Sequence, residues 1–127
     1  WSQGLQVCLW EFNLAIMSIL GIKWQQIREI FKFLIKIICK TADLDCAMVG
    51  NIGYSFAKQI AKNPKPLYII EISSFQLDDI EIFKPDIAVL LNITEDHLDR
   101  YQYKFENYIQ SKFHITKNQN NKDNIII

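Results

Sequence analysis

Apolar runs alternate with polar clusters along this chain, and the richest clusters begin where an apolar run stops. Residues 12 to 22, FNLAIMSILGI, are almost unbroken in apolar character and predict a buried strand. The period then changes: Ile27, Ile30, Phe31, Leu34, Ile35 and Ile38 recur at helical spacing, predicting a helix over 25 to 41 with that face inward. CAMV at 46 to 49 is short and apolar, is closed by Gly50, and reads as a strand. Gly53 to Lys62 predicts a second helix with Phe56, Ile60 and Ala61 inward, stopped by NPKP because proline cannot continue the hydrogen-bond ladder. LYIIEI at 67 to 72 is a third strand, and a short helix after Ser73 and Ser74 is expected to end near Phe83, ahead of Pro85. DIAVLLNI at 86 to 93 is the clearest buried strand, Phe105 to Lys117 a further helix, and NIII the start of another strand.

Strands that are apolar throughout and separated by helices indicate an α/β fold, a parallel sheet flanked by helices on both faces. Ligands in such sheets bind beyond the carboxyl ends of the strands, which is where the polar clusters fall. The 127 residues carry 14 acidic and 14 basic side chains and are half hydrophobic, the profile of one globular domain with a modest core. Neutral net charge removes the electrostatic footprint of nucleic-acid binders and polybasic anchors, so neither nucleic acid nor a membrane is an expected partner. The apolar run at 12 to 22 is too short for a bilayer, and Arg28, Glu29, Lys32 and Lys36 break the next one. Cys8, Cys39 and Cys46 are odd in number and lack a CxxC pair, as expected of reduced thiols in a cytoplasmic protein. An opening Trp1 and an end in NIII suggest a piece of something longer.

Three clusters carry candidate chemistry. GNIG, Gly50 to Gly53, follows a strand and opens a predicted helix, where backbone N–H groups favour an anion; it also reads as a plain tight turn, with Asn51 as ligand contact or cap. In EISSFQL, Glu71 alternates to the face opposite Ile70 and Ile72. A carboxylate in an apolar strand is costly unless it binds a cation, magnesium where phosphates are handled, or pairs with a nearby lysine. Ser73 or Ser74 supplies a donor or caps the next helix. NITEDHLDRY packs Asn92, Thr94, Glu95, Asp96, His97, Asp99 and Arg100 at a strand end. His97 suits a metal ligand or a capped structural imidazole equally, and Asp99 with Arg100 suggests a local ion pair. Lys112, one turn after Tyr108, reads as a snorkelling surface lysine from pattern alone.

GNIG, EISSFQL, NITEDHLDRY and YIQSKF, in this order and spacing, closely resemble the P-loop-type central domain of the Mur ligase family. The match is unbroken from about Ile37 to Ile127, and SSFQL with DHLDRY fits its D-glutamate-adding branch better than the folylpolyglutamate relatives. The resemblance implies ATP-dependent ligation of D-glutamate to UDP-N-acetylmuramoyl-L-alanine through an acyl phosphate, in cytoplasmic peptidoglycan precursor synthesis, by a monomer. It implies that Glu71, His97 and a carbamylated Lys112 are the catalytic and magnesium-binding groups. Asn51, Ser73 and Gln76 would meet the nucleotide-sugar substrate, while Asn92, Thr94 and Asp96 surround the ATP–Mg2+ site.

One segment departs from the family. Counting back without gaps from GNIG, the phosphate loop G-[ST]-N-G-K-[ST]-[ST] falls on GIKWQQIREIF. Trp24 and Ile27 replace glycines whose missing side chains let backbone N–H groups wrap phosphates. Arg28 keeps a positive charge at the lysine position, and Glu29 puts a negative one at the hydroxyl position. A decayed copy, a local sequence error or a divergent protein without nucleotide use would each account for this. The expected organisation is a remnant of an N-terminal domain and first strand over 1–20, then an incomplete ATPase-type domain over 21–127, inactive alone.

Overall fold

The computed structural model describes residues 5–10, 24–51, 53–90 and 93–127, with backbone alone for 5–10 and 24–29. In chain order the elements are β1 (Leu5–Trp10), α1 (Trp24–Thr41), β2 (Cys46–Gly50), α2 (Phe56–Lys62), β3 (Leu67–Glu71), α3 (Ser74–Asp78), β4 (Ile87–Leu90), α4 (Phe105–Phe113) and β5 (Asn124–Ile126). Single 3-10 turns cover Leu98–Tyr101 and His114–Thr116. The strands form one five-stranded parallel sheet in the order β2-β3-β1-β4-β5.

The predicted α/β parallel sheet is therefore present. The strand expected over 12–22 lies outside the described residues, and the strand that fills the centre of the sheet is Leu5–Trp10. Because β1 sits between β3 and β4, the ends of those two strands are not neighbours. Their carboxyl ends share one edge: Leu9 is level with Glu71, Gly50 with Glu71, and Trp10 with Leu90.

β3 is buried at all five positions, as a central parallel strand must be. Its alternation divides the core. Tyr68 and Ile70 join Val49, Ile72, Leu77, Ala88 and Ile115 on the face covered by α2, α3 and the turn after α4. Leu67 and Ile69 join Cys39 and Val89 on the face covered by α1, with Phe31 and Ile35 packed against them. Burial, then the neighbouring Cys39, pushes the Cys46 thiol above its ordinary 9.0, which favours the neutral thiol.

Helix α1 has no glycine or proline to interrupt it, and it ends in a Schellman arrangement. Asp43 takes a left-handed φ of 54°, its N–H bonds the Lys40 carbonyl at 3.1 Å, and the Leu44 N–H bonds the Cys39 carbonyl at 2.8 Å. Its rotation differs from the expected one. Ile30 is 55% and Ile38 64% exposed, and Leu34 also faces outward, while Phe31, Lys32, Ile35 and Cys39 turn to the sheet. The sequence of this helix is two-sided, and the buried face is not the one its apolar spacing marks.

Three further boundaries moved. Helix α4 ends at Phe113, not Lys117, and a 3-10 turn covers His114–Thr116. Helix α2 begins at Phe56, not Gly53, and of the predicted inward set only Phe56 packs, edge-on to Tyr68 with centroids 5.1 Å apart; Ile60 and Ala61 are exposed. Helix α3 ends at Asp78, not near Phe83. The carbonyls that would have continued it are taken from outside: Lys117 Nζ donates to Ile80 O, and Asn118 Nδ2 donates to Glu81 O and Phe83 O.

Candidate functional site

Glu71 ends β3 on the α1 side, opposite Ile70 and Ile72 as the alternation predicted. It is 4% exposed, and the buried Lys32 ammonium donates to its Oε2 at 2.7 Å. Of the two readings available for a carboxylate in an apolar strand, the described contact is the lysine pair.

GNIG is fastened to the same residue. The Asn51 N–H donates to the Glu71 carbonyl at 2.8 Å, and the Gly50 N–H donates to Tyr54 O at 3.1 Å. Gly50 has φ 126°, and a Cβ there would stand 2.1 Å from the Glu71 carbonyl oxygen, so glycine is the residue this crossing requires. Ser55, not Asn51, caps α2, its Oγ accepting from the Lys58 N–H. The GNIG loop is thus a turn laid against β3 and not itself a helix N-terminus, and Asn51 is exposed beside it.

Immediately after β3, Ser73 caps α3. Its N–H and its Oγ both donate to Gln76 Oε1, at 2.9 and 3.1 Å, which commits the Gln76 carbonyl to the cap. Buried Ser74 accepts a hydrogen bond on its carbonyl from the Ser111 hydroxyl at 3.1 Å.

The segment after β4 folds back onto α3. His97 takes φ 50° and packs edge-on to Phe75 with centroids 5.1 Å apart; Asp96 Oδ1 accepts from the His97 N–H at 2.8 Å, and its other oxygen lies 3.5 Å from His97 Nε2. The Arg100 guanidinium stacks over the opposite partner of that contact, 4.3 Å from the Phe75 centroid. The expected Asp99–Arg100 ion pair does not form among the described residues. Thr94 is half-buried. Asn92 lies outside the described residues, and Arg28 lies in the second turn of α1.

Lys112 is the largest departure from pattern reading: it is fully buried, not snorkelling, with its ammonium 4.4 Å from the Tyr108 centroid. Tyr108 also packs against Tyr101, whose hydroxyl lies 3.1 Å from both Asp78 Oδ2 and Ser111 Oγ. Three clusters far apart in sequence therefore meet at one junction, with α3, the Leu98–Tyr101 turn and α4 held through Phe75, Tyr101 and Ser111. The fourth, GNIG, joins through the backbone of Glu71. The sequence reading missed Lys32, Tyr101 and Ser111; a lysine inside an apolar helical run and a serine beside Lys112 were the available signals.

The groups matched to magnesium do not, as placed, form a divalent site. Glu71 is already balanced by Lys32, Lys112 is an amine against an aromatic face, and among the described residues no three His, Cys, Asp or Glu side chains gather. The cavity beside the junction, about 290 Å³ and lined by Asp78, Arg100, Asn107, Gln110, Ser111 and His114, holds none of the predicted site residues.

Residues 26–127 match the family model described as the Mur ligase middle domain. Among curated relatives, the UDP-N-acetylmuramoylalanine--D-glutamate ligase of Christiangramia forsetii is 47% identical over 110 residues, covering 87% of this chain and 25% of the relative. The ligase of the same name from Bacteroides thetaiotaomicron is 54% identical over 89 residues, covering 70% and 20%. That from Cytophaga hutchinsonii is 65% identical over 69 residues, covering 54% and 15%. The chain spans about a quarter or less of the length of these relatives.

Proposed function

The chain belongs to the Mur ligase family through its middle domain, and from that premise we propose that it works as the central portion of an ATP-dependent ligase joining D-glutamate to UDP-N-acetylmuramoyl-L-alanine. The observation that supports this most is the junction. The four motifs that carry the resemblance are tied to one another at the carboxyl edge of the sheet, where a parallel α/β fold binds its ligands.

The chemistry follows from what such a bond demands. A carboxylate does not release oxide to an attacking amine, so the acid is first converted to an acyl phosphate by the γ-phosphoryl of ATP, releasing ADP. The D-glutamate amine then attacks the carbonyl carbon, the carbon–oxygen bond to phosphate breaks, inorganic phosphate leaves with the electron pair, and the amine gives up a proton. Catalysis of this kind rests on positioning and on charge placed where the phosphoryl oxygens develop it. Buried Lys112 and the Asp96–His97 pair would supply fixed charge and a proton-carrying imidazole, while Ser73, Gln76 and Asn51 line the same edge to hold the sugar-nucleotide acid. With Glu71 paired to Lys32 and no three His, Cys, Asp or Glu side chains gathered among the described residues, the residues present do not fit a magnesium ion. We place the reaction in cytoplasmic peptidoglycan precursor synthesis, with the enzyme acting as a monomer.

A second reading has its own support. Trp24 to Glu29, matched to the phosphate loop, are helical here, so this chain by itself would be a substrate-binding module without ATP use. Calorimetry with ATP and magnesium separates the two, since heat of binding supports a working nucleotide site. Absence of heat in the chain as it stands, with binding in a variant carrying Trp24→Gly, Ile27→Gly, Arg28→Lys and Glu29→Thr, assigns the loss to the loop. The ligase reading itself is tested by transplanting residues 46–127 into a full-length relative and measuring ligation.

A further inference from the structure

We propose that Phe75 is a positioning residue for His97, and that Arg100, on the same turn as His97, holds the Phe75 ring so that the imidazole keeps one orientation. The inference rests on the ligase reading, in which His97 is a working group, and it gives a role to two residues that the reading leaves idle. His97 and Phe75 meet edge-on, with ring centroids 5.1 Å apart and planes at 69°. The Arg100 guanidinium carbon lies over the Phe75 ring, 4.3 Å from its centroid. The ring quadrupole favours both an edge-on aromatic partner and a cation over the face. The Arg100 N–H donates to the His97 carbonyl at 3.0 Å, so the two side chains leave one tight turn and close on one ring.

His97 needs such a hold. Its side chain is 54% exposed and its backbone is left-handed at φ 50°, uncommon for a non-glycine residue, so burial does not fix the ring. Asp96 Oδ1 accepts the His97 N–H at 2.8 Å and so steadies the backbone, but the other Asp96 oxygen is 3.5 Å from Nε2 and belongs to a side chain as exposed as the imidazole. Phe75 stands on a firmer element. Ser73 caps α3 through Gln76, the Ser74 carbonyl accepts from buried Ser111, and the Asp78 carboxylate accepts from the Tyr101 hydroxyl. The ring is thus a fixed wall on α3 against which the turn carrying His97 is seated. Misplacing a group by about 1 Å at a reacting centre costs roughly a hundredfold in rate, so Phe75 acts on turnover through His97 without touching substrate.

Side-chain three-bond couplings and nuclear Overhauser contacts of the two histidines, measured by NMR on the 127-residue chain, test the positioning itself, with His114 as internal reference. The unaltered chain should show His97 in one rotamer, in contact with the Phe75 ring. Phe75→Leu should average His97 over rotamers and leave His114 unchanged, while Phe75→Tyr, which keeps the ring, should restore the single rotamer. An averaged His97 in the unaltered chain, or a single rotamer kept in Phe75→Leu, overturns the proposal. Should Phe75→Leu not fold, Arg100→Met, a change on an exposed side chain, decides it: partial averaging of His97 supports the hold, and an unchanged rotamer overturns it. In a full-length relative carrying residues 46–127, Phe75→Leu should lower kcat at least about tenfold with KM for ATP and D-glutamate nearly unchanged, and Phe75→Tyr should recover most of that loss. Equal losses in the two variants would overturn the positioning role. A chimera without ligation, beside a His97 rotamer that Phe75→Leu releases, would sink the ligase reading and leave the positioning standing.

Discussion

Gly50 and Glu71 stand level at the carboxyl ends of β2 and β3, so close that a single methyl on Gly50 would lie 2.1 Å from the Glu71 carbonyl oxygen. That carbonyl also accepts the Asn51 N–H at 2.8 Å. The approach brings GNIG to the level of the Glu71 carboxylate, and the positive φ of Gly50 permits it.

Gly50→Ala must therefore open the β2–β3 edge. The expected loss is about 3 kcal/mol or more, combining strain at φ 126° with a backbone clash. Chemical denaturation measures it; a loss under about 1 kcal/mol, the ordinary effect of a point substitution, would mean the crossing is looser than described.

Ser111 carries the junction between α3 and α4. Buried at 3% exposure, it donates to Ser74 O and meets the Tyr101 hydroxyl. Ser111→Ala leaves both partners short of a hydrogen bond and should destabilise by about 1–3 kcal/mol. Ser111→Thr keeps the hydroxyl, and the recovery of stability it gives distinguishes hydrogen bonding from packing alone.

Lys112 has a chemical signature of its own. Burying an ammonium costs free energy, and conversion to a carbamate, which the family resemblance implies, would exchange that cation for a carboxylate-like group. Incubation with carbon-13 bicarbonate should give a carbamate resonance in the unaltered chain that is missing in Lys112→Arg. The same spectrum from both proteins would remove Lys112 from the proposed machinery.

Acid should loosen the β5 edge through Asp123. The hydrogen bond from Lys84, and then the one from the Asn120 N–H, hold the Asp123 carboxyl below its ordinary 3.8. A lowered carboxylate binds fewer protons folded than unfolded, so its contribution is fully present above 3.8 and is lost as pH falls through the lowered value. Asp123→Asn should be less stable than the unaltered chain at neutral pH and should show a shallower decline below that point; parallel curves for the two proteins would contradict the pairing.

What the sequence disclosed, and what it hid, divides by the range of the forces involved. β2, β3 and β4 were legible because CAMV, LYIIE and IAVL are apolar throughout, and β3 proves buried at every position while β4 is buried from Ala88 onward. Glu71 was legible as an anomaly in such a run. Its partner was not: Lys32 is 39 residues away, and it turns inward on α1 while Ile30, Leu34 and Ile38, predicted inward by periodicity, stay exposed. The strand Leu5–Trp10 was not marked in the sequence, although LQVCLW is an apolar run of strand length, and its pairing with β3 and β4 places it in the sheet. Helix α3 was drawn too long since its end is set by Lys117 and Asn118, side chains roughly 35 positions downstream. Of the candidate site, the motif residues were legible, while the contacts that gather them, through Phe75, Tyr101 and Ser111, are tertiary.

The central claim is that residues 46–127 place the motif residues for D-glutamate ligation, and a chimera tests it most directly. In the Bacteroides thetaiotaomicron relative, which retains its own flanking sequence, the matching stretch is replaced by residues 46–127 of this chain, and phosphate release dependent on both ATP and D-glutamate is measured. The account predicts turnover in the chimera and a fall of at least about a hundredfold with Glu71→Gln or Lys112→Met, the scale of losing one electrostatic group at a reacting centre. A folded, soluble chimera with no D-glutamate-dependent phosphate release, or one indifferent to both substitutions, would contradict it.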